Sequence, residues 1–355
     1  MTVDDARALV RRSLGEGGQR PIVFVVPGPL TTRTGGYIYD KRMVEGLRGR
    51  GARVEVVEAS AALALSRVDD GTVVVIDGLA LPGLAAILER EANRLKIVAL
   101  VHLPVAAGIE LDGAVAEQIR EQEGRALRAT RRIIVTSPAT IPMLESYNLP
   151  SGSISVVEPG TDRATMANGS GGSEVHLLCV ATVNGGKGHE ILLRALARVP
   201  ARNWMLTCAG SLTRDQAAVE RVQRVITELG LADRVRLAGE LDASAIEHCY
   251  NTADVFVLAT LQETYGMAVA EALAHGVPVV STMTGAIPSI VGTTAGILVP
   301  PGDADALSAA MTRMIRDADL RATLAEGARR RSEHLPTWED ACDRFAAALQ
   351  TVRDE

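Results

Sequence analysis

Aromatic residues are scarce in this sequence, and their scarcity argues against one class of function. Phenylalanine, tyrosine and tryptophan together make up 3% of the 355 residues. Proteins that hold single-stranded nucleic acid stack its bases on aromatic side chains, and this chain has few to offer. A formal net charge of -6 also argues against a nucleic-acid partner, because phosphate backbones attract basic surfaces. Alanine, valine and leucine must therefore build the hydrophobic cores.

The four cysteines are widely spaced and form no C-x-x-C pair. We therefore expect Cys179, Cys208, Cys249 and Cys342 to be buried thiols in a reducing compartment, without a disulfide or zinc framework. No apolar run reaches the roughly 18 residues that a transmembrane helix needs. Residues 1–19 have mixed charge and no apolar segment typical of a signal peptide, so the expected location is cytoplasmic.

One pattern occurs twice along the chain: an apolar strand, a glycine loop and a helix. The first copy runs from Ile22–Val26 into Gly35-Gly36, and the second runs from Val175–Ala181 into Gly185-Gly186-Lys187-Gly188. This order is typical of the start of a Rossmann-like domain, where glycines let the backbone approach a ligand closely. Because strands and helices go on alternating after each copy, the sequence predicts an α/β fold with two doubly wound domains.

A length of 355 residues suits two domains. The stretch 168–173, with the sequence Asn-Gly-Ser-Gly-Gly-Ser, is the predicted linker, because glycine and serine make a flexible chain. We therefore predict an N-terminal domain at 1–167, a C-terminal domain at 174–336 and a final helix at 337–355.

Two glutamates, Glu263 and Glu271, flank a predicted strand-to-helix junction. The apolar stretch Asp254–Leu258 before them predicts a buried strand, and Met267–His275 predicts a helix. Glu263 therefore lies on the loop, and Glu271 lies about two turns into the helix. The backbone N–H groups of a helix N-terminus lie between them, where the partial positive charge favours an anion. A carboxylate, a set of backbone N–H groups and a second carboxylate suit a ligand that has hydroxyls at one end, phosphates in the middle and hydroxyls at the other end. A nucleotide-sugar has these groups in this order.

Together with Gly266 and the segment Gly276–Val280, this arrangement resembles the E-x7-E element of the retaining, GT-B-fold glycosyltransferases of family 4, or glycosyltransferase group 1. The resemblance implies two Rossmann-like domains that face each other across a cleft, with the C-terminal helix crossing back to the first domain. It also implies a hexosyltransferase that moves a sugar, with anomeric retention, from a nucleotide-diphosphate donor to an acceptor. The expected donor is a UDP- or GDP-sugar.

The resemblance also assigns roles to individual residues. Glu263 would hold hydroxyls of the sugar, Glu271 would hold those of the ribose, and Lys187 would neutralise the leaving diphosphate. His102, which follows the strand Lys96–Val101, would approach the transferred sugar, so Glu263, Lys187 and His102 are the implied catalytic residues. The implied donor-binding residues are Gly36, Gly210, Thr264, Tyr265, Gly266, Met267 and Glu271.

The loop before Lys187 departs from the family. Relatives carry an arginine there as a second cation, whereas this chain has Thr182, Asn184 and Gly186. One cation stabilises the charge of a departing diphosphate less than two do. Our hypothesis is that Arg33, in the first glycine loop, replaces the missing arginine.

Neither a metal nor a cofactor is expected besides the donor, because Asp69-Asp70 fits a turn and not a metal-binding D-x-D motif. Two other interpretations stay open. Another GT-B enzyme, such as a nucleotide-sugar epimerase or a sugar phosphorylase, would form its product without an acceptor. A catalytically weak nucleotide-sugar-binding protein, suggested by the missing arginine, would bind the donor without transferring its sugar.

The acceptor is expected to be a small molecule, a saccharide or a lipid. A predicted helix at Leu111–Arg132 alternates arginines with Glu117, Glu121 and Glu123. Such alternation is typical of a solvated helix face with ion pairs along it, and weak contact with a membrane surface is the alternative interpretation.

Overall fold

The computed structural model describes residues 20–108 and 113–354, and the chain divides into two compact units. The second unit is the continuous stretch Thr161–Pro336. The first unit comprises the chain before it, up to Gly160, and the segment that begins at Thr337. The predicted absence of a signal peptide concerns residues 1–19, which lie outside the described residues.

A parallel sheet of six strands forms the centre of the first unit. Its order is β2-β1-β3-β4-β5-β6, and each neighbouring pair is parallel. Strands β1 and β3 are buried along their whole length, as expected for apolar strands covered on both faces. The strands are β1 (Ile22–Val26), β2 (Val54–Glu58), β3 (Val73–Asp77), β4 (Lys96–Val101), β5 (Arg132–Val135) and β6 (Ile154–Val156).

Helices connect these strands and cover both faces of the sheet. A proline in the first turn of α2 suits a helix start, where no backbone donor is lost. The helices are α1 (Gly35–Gly49), α2 (Leu81–Glu91), α3 (Gly113–Arg128) and the single turn α4 (Ile141–Leu144).

The second unit repeats this design with a sheet of the order β12-β11-β10-β7-β8-β9, again parallel throughout. Its strands are β7 (Val175–Val180), β8 (Trp204–Ala209), β9 (Val235–Gly239), β10 (Val255–Leu258), β11 (Val279–Thr282) and β12 (Gly296–Val299). Its helices are α5 (His189–Ala197), α6 (Gln216–Glu228), α7 (Ala243–Thr252), α8 (Met267–Ala274), α9 (Ile287–Val291), α10 (Ala304–Arg316) and α11 (Ala318–Ser332).

The last helix, α12 (Trp338–Asp354), returns to the first unit. It packs against α1, and its Phe345 ring stacks on Phe24 of β1 with 6.3 Å between ring centroids. Phe345, Leu349 and Val352 are buried in the same cluster as the inner face of α1. Within the described chain, no helix combines the length and the hydropathy that a bilayer span requires.

The predicted linker at 168–173 differs from the observed division of the chain. The N–H groups of Asn168 and Gly169 both donate to the carbonyl of Asn251, and that of Ser170 donates to the carboxylate of Asp254 at 3.1 Å. These bonds fix the glycine-rich stretch to the second unit, whatever its intrinsic flexibility. The first division falls earlier, after Gly160, and the second falls after Pro336, where the sequence analysis places it.

Helix α3 corrects one detail of its predicted solvated face. The start of the predicted helix, at residues 111–112, lies outside the described chain, and helix α3 begins at Gly113. Glu123 is fully buried and accepts hydrogen bonds from the N–H groups of Val105 and Ala106 and from the hydroxyl of Tyr147. Sequence alternation could not distinguish this acid from its solvated neighbours, because its partners lie on other segments.

Each sheet has one point at which the strand order reverses. In the first unit it lies between β1 and β3, and in the second it lies between β7 and β10. Loops that leave neighbouring strands there turn to opposite faces, which opens a crevice at the carboxyl ends of the strands. Open α/β sheets bind ligands in that crevice.

Candidate active site

The loops that follow β7 and β10 lie side by side at the reversal point of the second sheet. The N–H of Leu261 and the hydroxyl of Thr260 both donate to the carbonyl of Gly186, at 2.8 Å and 3.1 Å. These bonds tie the glycine loop to the loop that carries Glu263. Two stretches of sequence that are far apart therefore form one surface.

Lys187 and Glu263 meet on that surface. The Nζ of Lys187 donates to Oε2 of Glu263 at 2.7 Å, and Oε1 of Glu263 accepts from the N–H of Thr264 at 3.1 Å. Their side chains are 26% and 16% exposed, so both charges stay within reach of solvent. The structure thus brings together two of the three predicted catalytic residues.

Asn184 stands at one of the positions where the resemblance implies a second cation, and its side chain has a structural role here. Its side-chain Oδ1 accepts from the N–H of Lys187 at 3.1 Å and caps the short helical turn Gly185–Lys187. The asparagine therefore sets the backbone from which the lysine projects. Arg33 lies in the first unit, and its role as a replacement cation stays a hypothesis.

Two glycines are required by close backbone approaches. Gly188 has φ +67°, and a Cβ there would lie 2.0 Å from the carbonyl oxygen of Ala259. Gly210 has φ +150°, and a Cβ there would lie 2.0 Å from the carbonyl oxygen of Ala181. No side chain fits at either position, so both glycines are needed for packing, whether or not Gly210 also binds the donor.

Helix α8 begins beside Glu263. Gly266 is its N-cap residue, with φ +100°, and no side chain caps the helix. The side chains of Thr264 and Tyr265 are buried, at 8% and 4% exposure. The donor contacts expected of Thr264, Tyr265, Gly266 and Met267 stay predictions.

Glu271 has a partner that the sequence analysis missed. The hydroxyl of Tyr250, on α7, donates to Oε2 of Glu271 at 2.9 Å. The Tyr250 ring is fully buried and stacks on His275, with 4.8 Å between ring centroids. Tyr250 thus fixes the carboxylate that was predicted to hold the ribose. The sequence offered one signal for this contact, a tyrosine on a predicted helix in a chain with few aromatic residues. If such a tyrosine is buried, its hydroxyl needs a hydrogen-bond partner.

His102 and Gly36 lie together in the first unit. A Cβ on Gly36 would stand 3.2 Å from Cδ2 of His102. The Nε2 of His102 lies 3.0 Å from Oδ1 of Asp40 and 3.3 Å from Oδ2 of Asp77. Burial alone would lower the pKa of His102, but the hydrogen bonds to the two carboxylates outweigh it and raise the pKa to about 10.

Two groups of side chains in the described chain have the chemistry of metal ligands. One is Asp40, Asp77 and His102; the other is Cys179, His189 and Cys208, buried beneath the glycine loop of the second unit. All four cysteines are free thiols, and Cys249 is only partly buried. The absence of a required metal stays a prediction.

The folded chain is similar to solved glycosyltransferase structures. Sucrose-phosphate synthase from Thermosynechococcus elongatus matches with a TM-score of 0.82 and 21% identity over 94% of this chain and 99% of that one. Anabaena Alr3699/HepE in complex with UDP-glucose matches with a TM-score of 0.77 and 19% identity over 94% and 100%. The two units therefore have the Rossmann-like domains of the GT-B fold, and the predicted fold class is confirmed.

The family follows from the second unit. Residues 164–331 match the sequence model of the family described as glycosyl transferases, group 1. Over this segment, which is nearly all of the second unit, the chain is similar to that family. The predicted resemblance is thus confirmed at the level of group 1 and the GT-B fold, while family 4 and anomeric retention stay predictions.

Two of the curated relatives are named as a glycosyltransferase and a mannosyltransferase. D-inositol 3-phosphate glycosyltransferase of Corynebacterium jeikeium is 28% identical over 55% of this chain and 51% of its own length. MMP alpha-(1->4)-mannosyltransferase of Mycolicibacterium hassiacum is 26% identical over 72% of this chain and 64% of its own length. The chain therefore spans between about half and two thirds of the curated relatives that it matches.

Proposed function

We propose that this protein is a retaining glycosyltransferase that moves a sugar from a nucleoside-diphosphate donor to a hydroxyl-bearing acceptor without a metal ion. The observation that carries the proposal is the 2.7 Å pair of Lys187 and Glu263 at the reversal point of the second sheet. A cation and a carboxylate at that distance match the adjoining phosphate and sugar of such a donor. The match of residues 164–331 to a glycosyl transferase family supports the same function.

The reaction requires charge stabilisation at the donor phosphate. The bond between the anomeric carbon and the phosphate oxygen breaks, the acceptor oxygen forms a bond to that carbon, and the acceptor proton goes to the departing phosphate. Lys187 stabilises the negative charge that develops on the diphosphate. Glu263 accepts hydrogen bonds from sugar hydroxyls and fixes the sugar for attack.

The nucleoside end of the donor is assigned to Glu271. The hydroxyl of Tyr250 holds the Glu271 carboxylate in place, and that carboxylate accepts hydrogen bonds from the ribose hydroxyls. UDP-glucose is the first donor to test, because Alr3699/HepE, a similar structure, is seen in complex with UDP-glucose. The names of the curated relatives favour an acceptor that carries a sugar-like or inositol hydroxyl.

The alternative of a catalytically weak binding protein is favoured by Asn184. Its side chain is neutral and caps the turn of Lys187, so it supplies no charge at a position where the resemblance implies a second cation. Such a protein would bind the donor and release neither sugar nor nucleotide. Donor binding and turnover must therefore be measured separately.

The test begins with thermal unfolding in the presence of UDP-, GDP-, ADP- and TDP-sugars. A donor present at 100 times its Kd stabilises the native state by about 2.7 kcal/mol, which is readily measured. The stabilising donor is then incubated with hydroxyl acceptors, and the release of nucleoside diphosphate and the anomeric configuration of the product are measured. A product of retained configuration supports the proposal, and a product formed without acceptor indicates an epimerase or a phosphorylase.

Glu263→Gln and the exposed Glu228→Gln provide matched variants in the same unit. The glutamine at 263 loses the charge that pairs with Lys187, so we expect a loss of transfer of about tenfold or more. The glutamine at 228 should leave transfer unchanged. Equal transfer by both variants would refute the proposed role of Glu263.

A further inference from the structure

Two cysteines and one histidine meet beneath the glycine loop of the second unit. Cys179 on β7 and Cys208 on β8 are register partners in the parallel sheet, so their side chains lie on the same face. His189 is the first residue of α5, and its ring lies close to both sulfur atoms. All three side chains are buried, at 1%, 3% and 2% exposure. We call these residues the thiol–histidine group.

The distances within the thiol–histidine group match those between the ligands of a zinc ion. Zinc binds thiolate sulfur at about 2.3 Å and imidazole nitrogen at about 2.0–2.1 Å, so its tetrahedral ligands stand about 3.6–3.8 Å apart. The Sγ of Cys179 lies 3.8 Å from Nε2 of His189, and the ligand atoms of the whole group lie within 4.8 Å of one another. Side-chain shifts of no more than about 1 Å would complete this geometry.

The ring of His189 has few other partners. Its Nδ1 is buried without a hydrogen-bond partner, and Cys179 is the one described residue that bonds to its Nε2. Buried polar atoms are nearly always paired, and a bound ion is one explanation where they are not. No carboxylate or carbonyl of the described chain therefore competes with an ion for this ring.

The charge of the group indicates which kind of ion suits it. Cysteine binds metals as the thiolate, so a divalent ion and two cysteines form a neutral site. Neutrality is needed in a buried site, because an unpaired charge is costly to remove from water. A monovalent ion such as Cu⁺ would leave a net negative charge. Thiolates and imidazole are also soft ligands, whereas Mg²⁺ and Ca²⁺ require oxygen.

The thiol–histidine group lies at the base of the loop that carries Lys187. Gly188 alone separates Lys187 from His189. The carbonyl of Gly186, in the same loop, accepts hydrogen bonds from the loop after β10. An ion held by His189 and by two strands would therefore fix the start of α5 to the sheet beside this loop.

We propose that Cys179, Cys208 and His189 bind one divalent ion of the zinc class, which joins β7, β8 and α5. Binding releases the two thiol protons to solvent, so the charge of the group does not change. Three protein ligands leave one of the four positions of the ion to a ligand from outside the group. The proposal does not depend on the proposed glycosyl transfer, because its ligands and its measurements are separate from that reaction.

This site departs from the expectation that the cysteines form no zinc framework. That expectation came from their spacing, which shows only ligands that are near in sequence. Cys179 and Cys208 are 29 positions apart and become neighbours through the pairing of β7 with β8. The ion is not one that the transfer reaction requires.

Cobalt is the probe for this site, because tetrahedral Co²⁺ absorbs visible light whereas Zn²⁺ has a filled d shell. The reduced, unmodified protein should bind one Co²⁺ per chain in equilibrium dialysis and gain a sulfur-to-cobalt charge-transfer band. Zn²⁺ should displace the Co²⁺, and Mg²⁺ should not. If the folded, reduced protein shows no such band, the proposal is overturned, whether or not any variant folds.

Variants locate the ion. Loss of a residue behind a metal ligand costs about 10- to 100-fold in affinity, so loss of a ligand itself should cost about 100-fold or more. Cys179→Ala and Cys208→Ala should weaken Co²⁺ binding to this extent and each remove a sulfur contribution to the charge-transfer band. His189→Gln should weaken binding equally while both sulfur ligands remain. Circular dichroism of the metal-free variants checks that each is folded.

The matched controls remove thiols and a histidine outside the group. Cys249→Ala, Cys342→Ala and the exposed His248→Gln should bind Co²⁺ as the unmodified protein does. Loss of the band in these controls, together with its retention in Cys179→Ala, would place the ion elsewhere and overturn the proposal. Cobalt absorption without a charge-transfer band in the unmodified protein would indicate oxygen and nitrogen ligands and would overturn it as well.

Thermal unfolding tests whether the ion joins the three elements. Zn²⁺ should raise the unfolding temperature of the unmodified protein and of His248→Gln, because the unfolded chain does not hold the three ligands together. It should leave that of Cys208→Ala unchanged. No upward shift of the unmodified protein, at a Zn²⁺ concentration that displaces all the bound Co²⁺, would show that the ion does not join β7, β8 and α5.

Discussion

In the second unit one cation, Lys187, faces one carboxylate, Glu263, whereas in the first unit one imidazole faces two carboxylates. The first arrangement is balanced in charge and partly open to solvent, with side chains 26% and 16% exposed. The second is unbalanced, and its two carboxylates are almost fully buried, at 1% and 3% exposure, beside an imidazole that is 19% exposed. A balanced pair that solvent still reaches adds less to stability than a fully buried one, so its loss should affect the chemistry of the site more than the fold. An unbalanced buried cluster couples folding to proton uptake.

The largest expected effect tests the exposed pair. Lys187→Ala should lower sugar transfer by about 100- to 1000-fold, as the loss of one preorganised charge does at other transition states. Its free energy of unfolding in urea should change by less than about 1 kcal/mol, because an ion pair that solvent still reaches contributes little. Lys41→Ala removes an exposed lysine that pairs with Glu45 at 3.9 Å and serves as the control. A loss of stability as large as the loss of activity would make Lys187 a structural residue.

The next prediction tests the backbone beside Lys187 in the second unit, without changing the charges of the site. Gly188→Ala introduces a Cβ 2.0 Å from the carbonyl of Ala259, whereas Gly230→Ala, at φ +62°, meets nothing within 4 Å. Both variants incur the left-handed penalty of about 1–2 kcal/mol. Displacement of the β10 loop should cost Gly188→Ala on the order of 2 kcal/mol more. Urea unfolding measures the difference, and equal destabilisation would mean that the loops are not rigidly joined.

A third prediction concerns pH and the buried cluster. The pKa of His102 is raised to about 10 in the folded protein, above the ordinary 6.5 of an unfolded chain. Its contribution to stability is therefore fully present below pH 6.5 and is lost as the pH rises through 10. The expected slope is at most about 1.4 kcal/mol per pH unit in the free energy of unfolding.

Urea unfolding at pH 7, 8 and 9 measures this slope, and His102→Gln is the reference because it cannot titrate. Lys187→Ala should retain the slope of the unmodified protein. The same slope in His102→Gln would show that the dependence arises from other groups.

The smallest expected effect concerns Glu271 of the second unit, which is proposed to bind the ribose of the donor. Tyr250→Phe removes the 2.9 Å hydrogen bond to Glu271, which contributes about 1 kcal/mol. The donor KM should rise about fivefold with kcat nearly unchanged. Tyr147→Phe, which removes the hydroxyl bonded to the buried Glu123 of the first unit, should lower stability and leave KM unchanged. An unchanged KM in Tyr250→Phe would separate Glu271 from donor binding.

The features predicted best from the sequence are those set by neighbouring residues, such as the loops that carry Lys187 and Glu263. Lys187 follows a strand and two glycines, and Glu263 follows another strand, so their loops could be placed at the carboxyl edge of a sheet without knowing the pairing of strands. Their meeting at 2.7 Å needed only that β7 and β10 be neighbours. The alternation of strands and helices also predicted both sheets.

Contacts between distant elements were not predictable in the same way. Asp40 lies on a helix next to Lys41 and Arg42 and has the pattern of a solvated acid, yet it is completely buried against His102. Tyr250 and Glu271 are brought together by two helices whose relative rotation no sequence pattern specifies. The glycine-rich composition of residues 168–173 predicted a flexible linker. Composition could not reveal the carbonyl of Asn251 and the carboxylate of Asp254, which hold this stretch by hydrogen bonds.

The return of α12 to the first unit has a consequence for biosynthesis. The chain leaves that unit at Gly160, where an added Cβ would lie 2.2 Å from the backbone nitrogen of Trp338, and the segment supplying Trp338 is made only after Pro336. Until the second unit has been translated, a nascent first unit therefore lacks the contact of Phe345 with Phe24, and α1 alone packs on that face of the sheet. The part of the protein that is synthesised first thus receives its last helix only after the other unit is complete.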